Sequence, residues 1–557
     1  MATVTTVTFS EADKGEERRL GGAPGDLESS QITLTEDHIP LSRTRLWFVV
    51  VTLSFGSFLT MLDQSILGSA LPAITNQFGE LSAIAWVSAA YMLTFTALQS
   101  IFSKVSEIFG RLPVLIISLA VFCVGSAICG ASVDMDMLIA GRAVAGCGGC
   151  GIATMMQVLL IDLLPLRKRA TYMGFLNFTS MVAVVSGPLI GGAITDHWLW
   201  RWCFYINLPI CAVIAVICML TIRVKTPEGT AKEKLARTDF AGAGLLLTGL
   251  VLFILGLNWG GKDFAWNSAA VIVSLVLSAV LLGVFGFVEH RYAREPIIPM
   301  RMFTSWALTP ALLSQFFLGA GITFTVLYLP VYFTVVFGAS STTAGLYLLP
   351  YLIGMMLFGL VMGPIVSRFD LYRPFIWLGM LAMTVSAGVL NIVQPETRLV
   401  VLLAITGVFG IGSGFVLLPL MVATQAACRP QDTGTAATLA LLLRNLGSIV
   451  GIAIVGTLFN NTLIGKITML ATDFPDYSEL IFNAVDDATV VWQTDIPTQV
   501  HTGIIACFVD ALKATFIANA PFVGMAFLLS LFIKHRSLGV RKATPSTPTN
   551  SMGEQHQ

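Results

Sequence analysis

A chain of 557 residues that is 55% hydrophobic and only 11% charged, with a mean hydropathy of +0.81, cannot present a water-soluble surface. Its formal net charge is zero, which by itself says nothing about partners; no nucleic acid is expected among its ligands. The composition is that of an all-α integral membrane protein.

The first 41 residues are polar and charged, with Glu11, Asp13, Glu16, Glu17, Arg18 and Arg19 close together. They are expected to form a disordered cytosolic tail, not a cleavable signal. Windows of about 20 residues, the length that crosses a hydrocarbon core, then give fourteen apolar segments. These lie near 46–74, 83–103, 113–131, 137–161, 170–194, 203–222, 240–258, 268–288, 308–336, 342–365, 374–393, 399–426, 436–459 and 515–534.

Asp63 stands in the middle of the first segment. A carboxylate at membrane depth is costly and is retained for function. In a helix Thr60, Asp63 and Gln64 share one face, which should turn toward protein or a wet cavity. The fourth segment holds Arg142, whose guanidinium costs roughly 2.5–3.5 kcal/mol at the centre of a span and therefore calls for a partner or water. In the thirteenth segment Arg444 would either attract an anionic substrate group or hold a helix contact through backbone carbonyls. Gln64, Gln99, Gln157, Asn177, Gln315 and Gln425 are candidate polar lining for a cavity, with Trp86, Tyr91, Phe95, Phe316, Phe317 and Phe415 as aromatic surface.

Nine cysteines lie almost all inside apolar segments, which implies no disulfide framework. The Cys147-Gly148-Gly149-Cys150 spacing reads as small residues that let helices approach closely, not as a redox or metal pair. Lys and Arg recur in alternate loops: Lys104 and Arg111, Arg167 to Arg169, the basic stretch from Arg223 to Arg237, Arg291 to Arg301, Arg368 and Arg373, and Arg429. The opposite loops hold only Arg201, Lys262, Arg398, Lys466 and Lys513. That alternation predicts an even number of spans with both termini cytosolic.

An acidic stretch at 460–514, with Asp473, Asp476, Glu479, Asp486, Asp487, Asp495 and Asp510, is expected as an outer loop. Its end carries Ile504, Ile505, Phe508, Leu512 and Phe516 on one face, as an amphipathic lead-in at the interface would. Asn460-Asn461-Thr462 matches a glycosylation sequon at the end of a span and is expected to be unused. His197 and His290 are isolated, and no metal or nucleophile cluster accompanies them, so neither an enzyme nor a bound cofactor is expected.

Several stretches converge on one family. Ser103-Lys104-Val105-Ser106-Glu107-Ile108-Phe109-Gly110-Arg111 resembles the cytoplasmic loop signature of the major facilitator superfamily, Gly-x-Leu-x-Asp-x-x-Gly-Arg. Ser103, Val105 and Glu107 replace its Gly, Leu and Asp. The resemblance makes Glu107, Gly110, Arg111 and Asp162 a conformational latch, with Glu107 meeting a helix N-terminus and Arg111 a carboxylate such as Asp162. The run Leu138 to Gly148 is similar to the family's Arg-containing fourth-helix motif, which associates Arg142 with proton coupling. Gly174, Ala183, Gly187, Pro188, Gly191 and Gly192 are similar to the antiporter signature Gly-x8-Gly-x3-Gly-Pro-x2-Gly, Ala183 being the one departure.

Leu62 to Leu67 through Pro72, together with Trp200 to Pro209, extends the resemblance to the fourteen-span drug:proton antiporters of fungal multidrug and toxin efflux. It implies two six-helix bundles, 42–222 and 308–535, with a linker 223–307 carrying two extra transmembrane helices, and a disordered tail at 536–557. It further implies a functional monomer that exports hydrophobic or amphipathic small molecules by alternating access, driven by protons through Asp63 and Arg142. Gln64, Trp86, Tyr91, Gln157, Gln315 and Arg444 are the candidate substrate cavity. One mid-span acid and two arginines suit neutral, amphipathic or anionic compounds better than dications. The expected site is the plasma membrane. A vacuolar importer of basic amino acids shares the outline, although more buried acids would be expected in it. A receptor or scaffold is the competing class outside transport, and the tails are short for that.

Overall fold

The computed structural model describes residues 43–538 except 79–83, 223–229, 231, 235–238, 262–263, 294, 393, 395, 487–491 and 493–495. The expected tails (536–538 apart), most of the 223–239 loop and the side chains of Lys262, Arg294, Asp486, Asp487 and Asp495 lie outside the described residues.

The described chain is built of long helices, since a backbone in hydrocarbon must satisfy its hydrogen bonds within its own segment. In chain order they are α1 (Arg43–Phe78), α2 (Ile84–Phe109), α3 (Arg111–Ala131), α4 (Met135–Leu163), α5 (Leu166–His197), α6 (Asn207–Thr221), α7 (Phe240–Trp259), α8 (Ala269–Arg291), α9 (Thr309–Phe337), α10 (Leu349–Phe369), α11 (Arg373–Leu390), α12 (Leu399–Ala427), α13 (Thr433–Asp473) and α14 (Thr498–Leu531). A single turn, Trp202–Tyr205, leads into α6. Thirteen of these, α6 being counted together with its lead-in turn, are long and apolar enough to cross a membrane. The one outside that set is α2, a helix of 26 residues whose last turns carry Lys104 and Glu107.

The helix contacts fall into two groups. Within the first, α1 packs on α5, and α4 on both α2 and α3; within the second, α10 and α11 pack on α12, and α13 and α14 on α9. The groups meet chiefly through α5 against α10 and α2 against α13. Helices α7 and α8 pair with each other, and α7 leans on α2 and α13. Outward apolar side chains such as Val273, Val276, Val280 and Phe287 on α8 form the kind of surface that lipid covers.

Close packing at α4 depends on glycine. A side chain at Gly148 would enter Phe122 of α3, and one at Gly146 or Gly149 would enter Tyr91 of α2. Cys150 is buried and Cys147 half-buried within this seam. Among the described residues no group of His, Cys, Asp and Glu is placed to hold a metal ion.

The stretch read as an outer loop is largely helical. The 41 residues of α13 extend to about 60 Å, twice the thickness of a hydrocarbon core, and α14 begins at Thr498, well before its apolar part. Leu463, Ile467 and Ala471 on one extension pack with Val500, Ile504, Phe508 and Leu512 on the other. Lys466 and Asp510 bridge the two at 2.7 Å. The face read as an interfacial lead-in thus meets a protein partner, and window hydropathy misses such a pair because each helix keeps a polar outer face. Asn460 lies within α13.

Candidate functional site

The intramembrane charges of α1 and α4 meet. Arg142 Nη1 donates to Asp63 Oδ2 at 2.6 Å, and both side chains are sealed, at 2% and 0% exposure. Arg142 Nε also donates to the Val87 carbonyl at 3.3 Å, and its guanidinium lies over the Tyr91 ring, 4.3 Å from the centroid. The other carboxylate oxygen, Asp63 Oδ1, accepts from Asn207 Nδ2 at 2.8 Å. Asn207 reaches Ser126 Oγ at 3.3 Å as well. Each oxygen of the buried carboxylate therefore has a donor, one of them cationic, which is what keeps a charge tolerable in a low-dielectric interior. Asn207 opens α6 and is the only amide side chain in the apolar run 203–222; that isolation is the signal by which sequence reading could have assigned it a role.

On α5 the stripe of small residues faces the helix that carries Asp63. A Cβ at Gly187 would collide with the Ser65 hydroxyl, and one at Gly191 with Ser69 and Ile66. Ser65 Oγ donates to the Ala183 carbonyl at 3.1 Å, so Ala183 belongs to the same contact. Pro188 and Gly192 lie off it: Pro188 is exposed, and nothing approaches within 4 Å of where a Gly192 Cβ would be. Gly174, near the other end of the helix, faces Gly359 and Gly363 of α10.

The loop between α2 and α3 lies where the two helix groups touch. Gly110, at φ 103°, turns the chain so that Arg111 starts α3. Arg111 Nε donates to Asp162 Oδ2 at 2.8 Å and its Nη1 to Ser106 Oγ at 2.6 Å. Glu107 Oε1 accepts from Thr435 Oγ1 in the first turn of α13, at 3.1 Å, and so crosses between the groups. Three more crossings lie nearby: Thr438 to Ser103 at 3.1 Å, Asn445 to Gln99 at 3.3 Å, and Arg167 to the Ser367 carbonyl at 2.9 Å. Lys104 stands between Glu107 at 3.2 Å and Glu295 at 3.6 Å, which ties the segment after α8 to the same end.

Between the groups is a cavity of about 170 Å³, lined from one side by Ser57, Thr60, Phe95, Gln99, Gln157 and Asn177 and from the other by Met421, Leu441, Arg444 and Asn445. Thr60 is one turn from Asp63, so the sealed pair lies just behind the cavity wall. Of the six residues expected to line the cavity, Gln157 and Arg444 do so. Tyr91 instead supports Arg142. Trp86 packs edge-on against Trp259 of α7, with centroids 6.5 Å apart. Gln315 is fully buried with neither amide atom paired, and Gln64 is half-buried beside Asp63. Rotation of each helix about its axis decides these placements, and composition carries no record of it.

A model of the Major Facilitator Superfamily matches residues 53–452. The efflux pump dotC of Dothistroma septosporum is 33% identical over 490 residues, covering 88% of this chain and 84% of that protein. The MFS-type efflux pump LUC4 of Fusarium sp is 30% identical over 510 residues, covering 90% of each. Among solved structures, the transporter FucP in the outward conformation superposes with a TM-score of 0.54 at 12% identity, covering 87% of this chain and 99% of that one. At that identity the likeness is one of fold. Match, relatives and helical architecture agree, and the chain belongs to the Major Facilitator Superfamily, as a multi-pass membrane transporter of small molecules and not an enzyme.

Proposed function

We propose that this transporter exports hydrophobic or amphipathic small molecules by alternating access, in exchange for protons that load and leave Asp63. The observation that carries the reading is the sealed Asp63–Arg142 pair one helical turn behind the cavity wall. Neutralising Asp63 would leave the Arg142 guanidinium without its counter-charge, and an uncompensated buried charge costs about 3–5 kcal/mol. Proton uptake at that site therefore favours a different arrangement of α1 and α4, one in which water reaches Arg142. The small-residue stripe of α5 lies against Ser65 and Ser69, where such a movement of α1 would be felt.

In this reading the bundles are 42–222 and 308–535, with α7 and α8 inserted between them. The basic loops, both termini and the Glu107–Thr435 crossing face the cytosol. Glu107, Gly110, Arg111 and Asp162 hold that end shut. One proton falling through about 100 mV supplies about 2.3 kcal/mol, so the gradient serves as energy source without a cofactor, and the chain works as a monomer. The two curated relatives named above are efflux pumps, which supports export at the plasma membrane. Among the described residues the cavity lining contains no carboxylate, which favours this reading over uptake of basic amino acids into a vacuole.

Uptake of a panel of dyes, antifungals and amino acids into inside-out vesicles with an imposed pH gradient tests the proposal. Proton-stimulated accumulation of hydrophobic compounds, lost in Asp63→Asn, is expected. Normal coupled export by that variant would remove Asp63 from the mechanism.

A further inference from the structure

Arg444 is, among the described residues, the only ionisable one in the cavity wall. Among the described residues its guanidinium has no hydrogen bond and no ion pair, while every other charge near the site is committed: Asp63 to Arg142 and Asn207, Glu107 to Thr435 and Lys104. Nor does Arg444 hold helices together through its side chain. It is the backbone that makes the contact there, the Arg444 carbonyl meeting α9 where Gly319 leaves room. Arginine carries its charge at any working pH and presents a planar fork of donors suited to two-oxygen acceptors. A cation in this position, half-buried and uncompensated, is repaid only when something anionic arrives.

The geometry points to Arg444 as an anion subsite of the transport cavity, so that the preferred substrates are amphipathic anions: an apolar body with one carboxylate, sulfonate or similar head. The head would meet the guanidinium, with the amides of Gln99, Gln157, Asn177 and Asn445 as neutral donors around it, while Phe95 and Met421 take the apolar body. Cations of the same shape are repelled. The inference rests on the cavity being the substrate path of the proposed exporter.

Equilibrium binding to the purified full chain in detergent, with empty micelles as blank, tests it with three probes of one skeleton: naphthalene-2-sulfonate, the neutral naphthalene-2-sulfonamide and 2-naphthyltrimethylammonium. The wild type is expected to bind the sulfonate at least about tenfold more tightly than the sulfonamide, a margin well inside what one nearby charge supplies, and the ammonium most weakly. Arg444→Gln should erase the preference for the sulfonate while changing sulfonamide binding less than about threefold, and Arg444→Lys should keep most of it. Because no partner is lost, Arg444→Gln should unfold at the wild-type temperature or above. Equal binding of the sulfonate to wild type and Arg444→Gln would overturn the subsite, as would tightest binding of the ammonium. So would a lowered unfolding temperature with all three probes weakened alike, which would make Arg444 a structural residue. Proteoliposomes made from the same protein separate the two proposals. Arg444-dependent sulfonate binding without movement of any probe would leave the subsite standing and overturn the export reading instead.

Discussion

Arg142 Nη1 stands 2.6 Å from Asp63 Oδ2 with neither side chain reached by solvent. Each therefore depends on the other for its charge to be tolerable. Asp63→Leu or Arg142→Met alone is expected to cost about 3–5 kcal/mol, because each leaves an uncompensated buried ion, whereas the double substitution should recover much of the loss. Denaturation midpoints of the four proteins in detergent measure this. Simple additivity would mean that the pair is not a coupled unit.

Asn207 supplies the second donor to the same carboxylate. Asn207→Leu preserves volume and removes that donor, leaving Asp63 Oδ1 buried and unpaired at a cost of about 1–3 kcal/mol. Proton-stimulated transport should fall with it, and Asn207→Gln should be only partly active, since its amide sits one methylene out of place. Wild-type stability and coupling in Asn207→Leu would show that Arg142 alone sustains the carboxylate.

Gly187 and Gly192 belong to one sequence signature but meet different surroundings. Gly187→Val drives a side chain into Ser65 of α1 and is expected to cost about 1–3 kcal/mol through overpacking, with transport lost. Gly192→Ala has open space to fill and should leave both folding and transport unchanged. Comparing expression yield, unfolding temperature and uptake of the two variants decides it; equal damage from both would place the constraint in the helix backbone and not in the contact with α1.

The buried hydroxyl pair Thr438–Ser103 and the Glu107–Thr435 bond join the two helix groups at one end. Thr435→Val with Thr438→Val removes both crossings, each worth about 0.5–1.5 kcal/mol net, without touching the Arg111–Asp162 pair inside the first group. The expected result is a several-fold faster reaction of a cysteine placed at Asn177 with a membrane-impermeant thiol reagent supplied from the basic-loop side. An unchanged rate would show that these two bonds do not hold that end, which would then rest on the remaining contacts, Asn445 to Gln99 and α5 against α10.

Membrane class, the positions of the apolar segments and the two charges Asp63 and Arg142 were all legible in the residue order. Hydropathy acts on each segment separately, and an ionised side chain in an apolar run is visible without any neighbour. The signature from Gly174 to Gly192 likewise carried the family resemblance, and its Ala183, Gly187 and Gly191 fall on one stripe because they recur every four residues of helix, whatever that stripe packs against. Only the tertiary structure decided that Arg142 reaches Asp63 across 79 positions, that Asn207 completes the site, that Trp86 and Tyr91 turn away from the cavity, and that Arg444 faces it unpaired. The same holds for the helical extensions at 460–473 and 498–514, which look polar one at a time and bury an apolar seam only as a pair. The physical reason is common to all of these: composition sets whether a segment enters the membrane, but the rotation and neighbours of that helix are set by contacts with chain that lies far away in sequence.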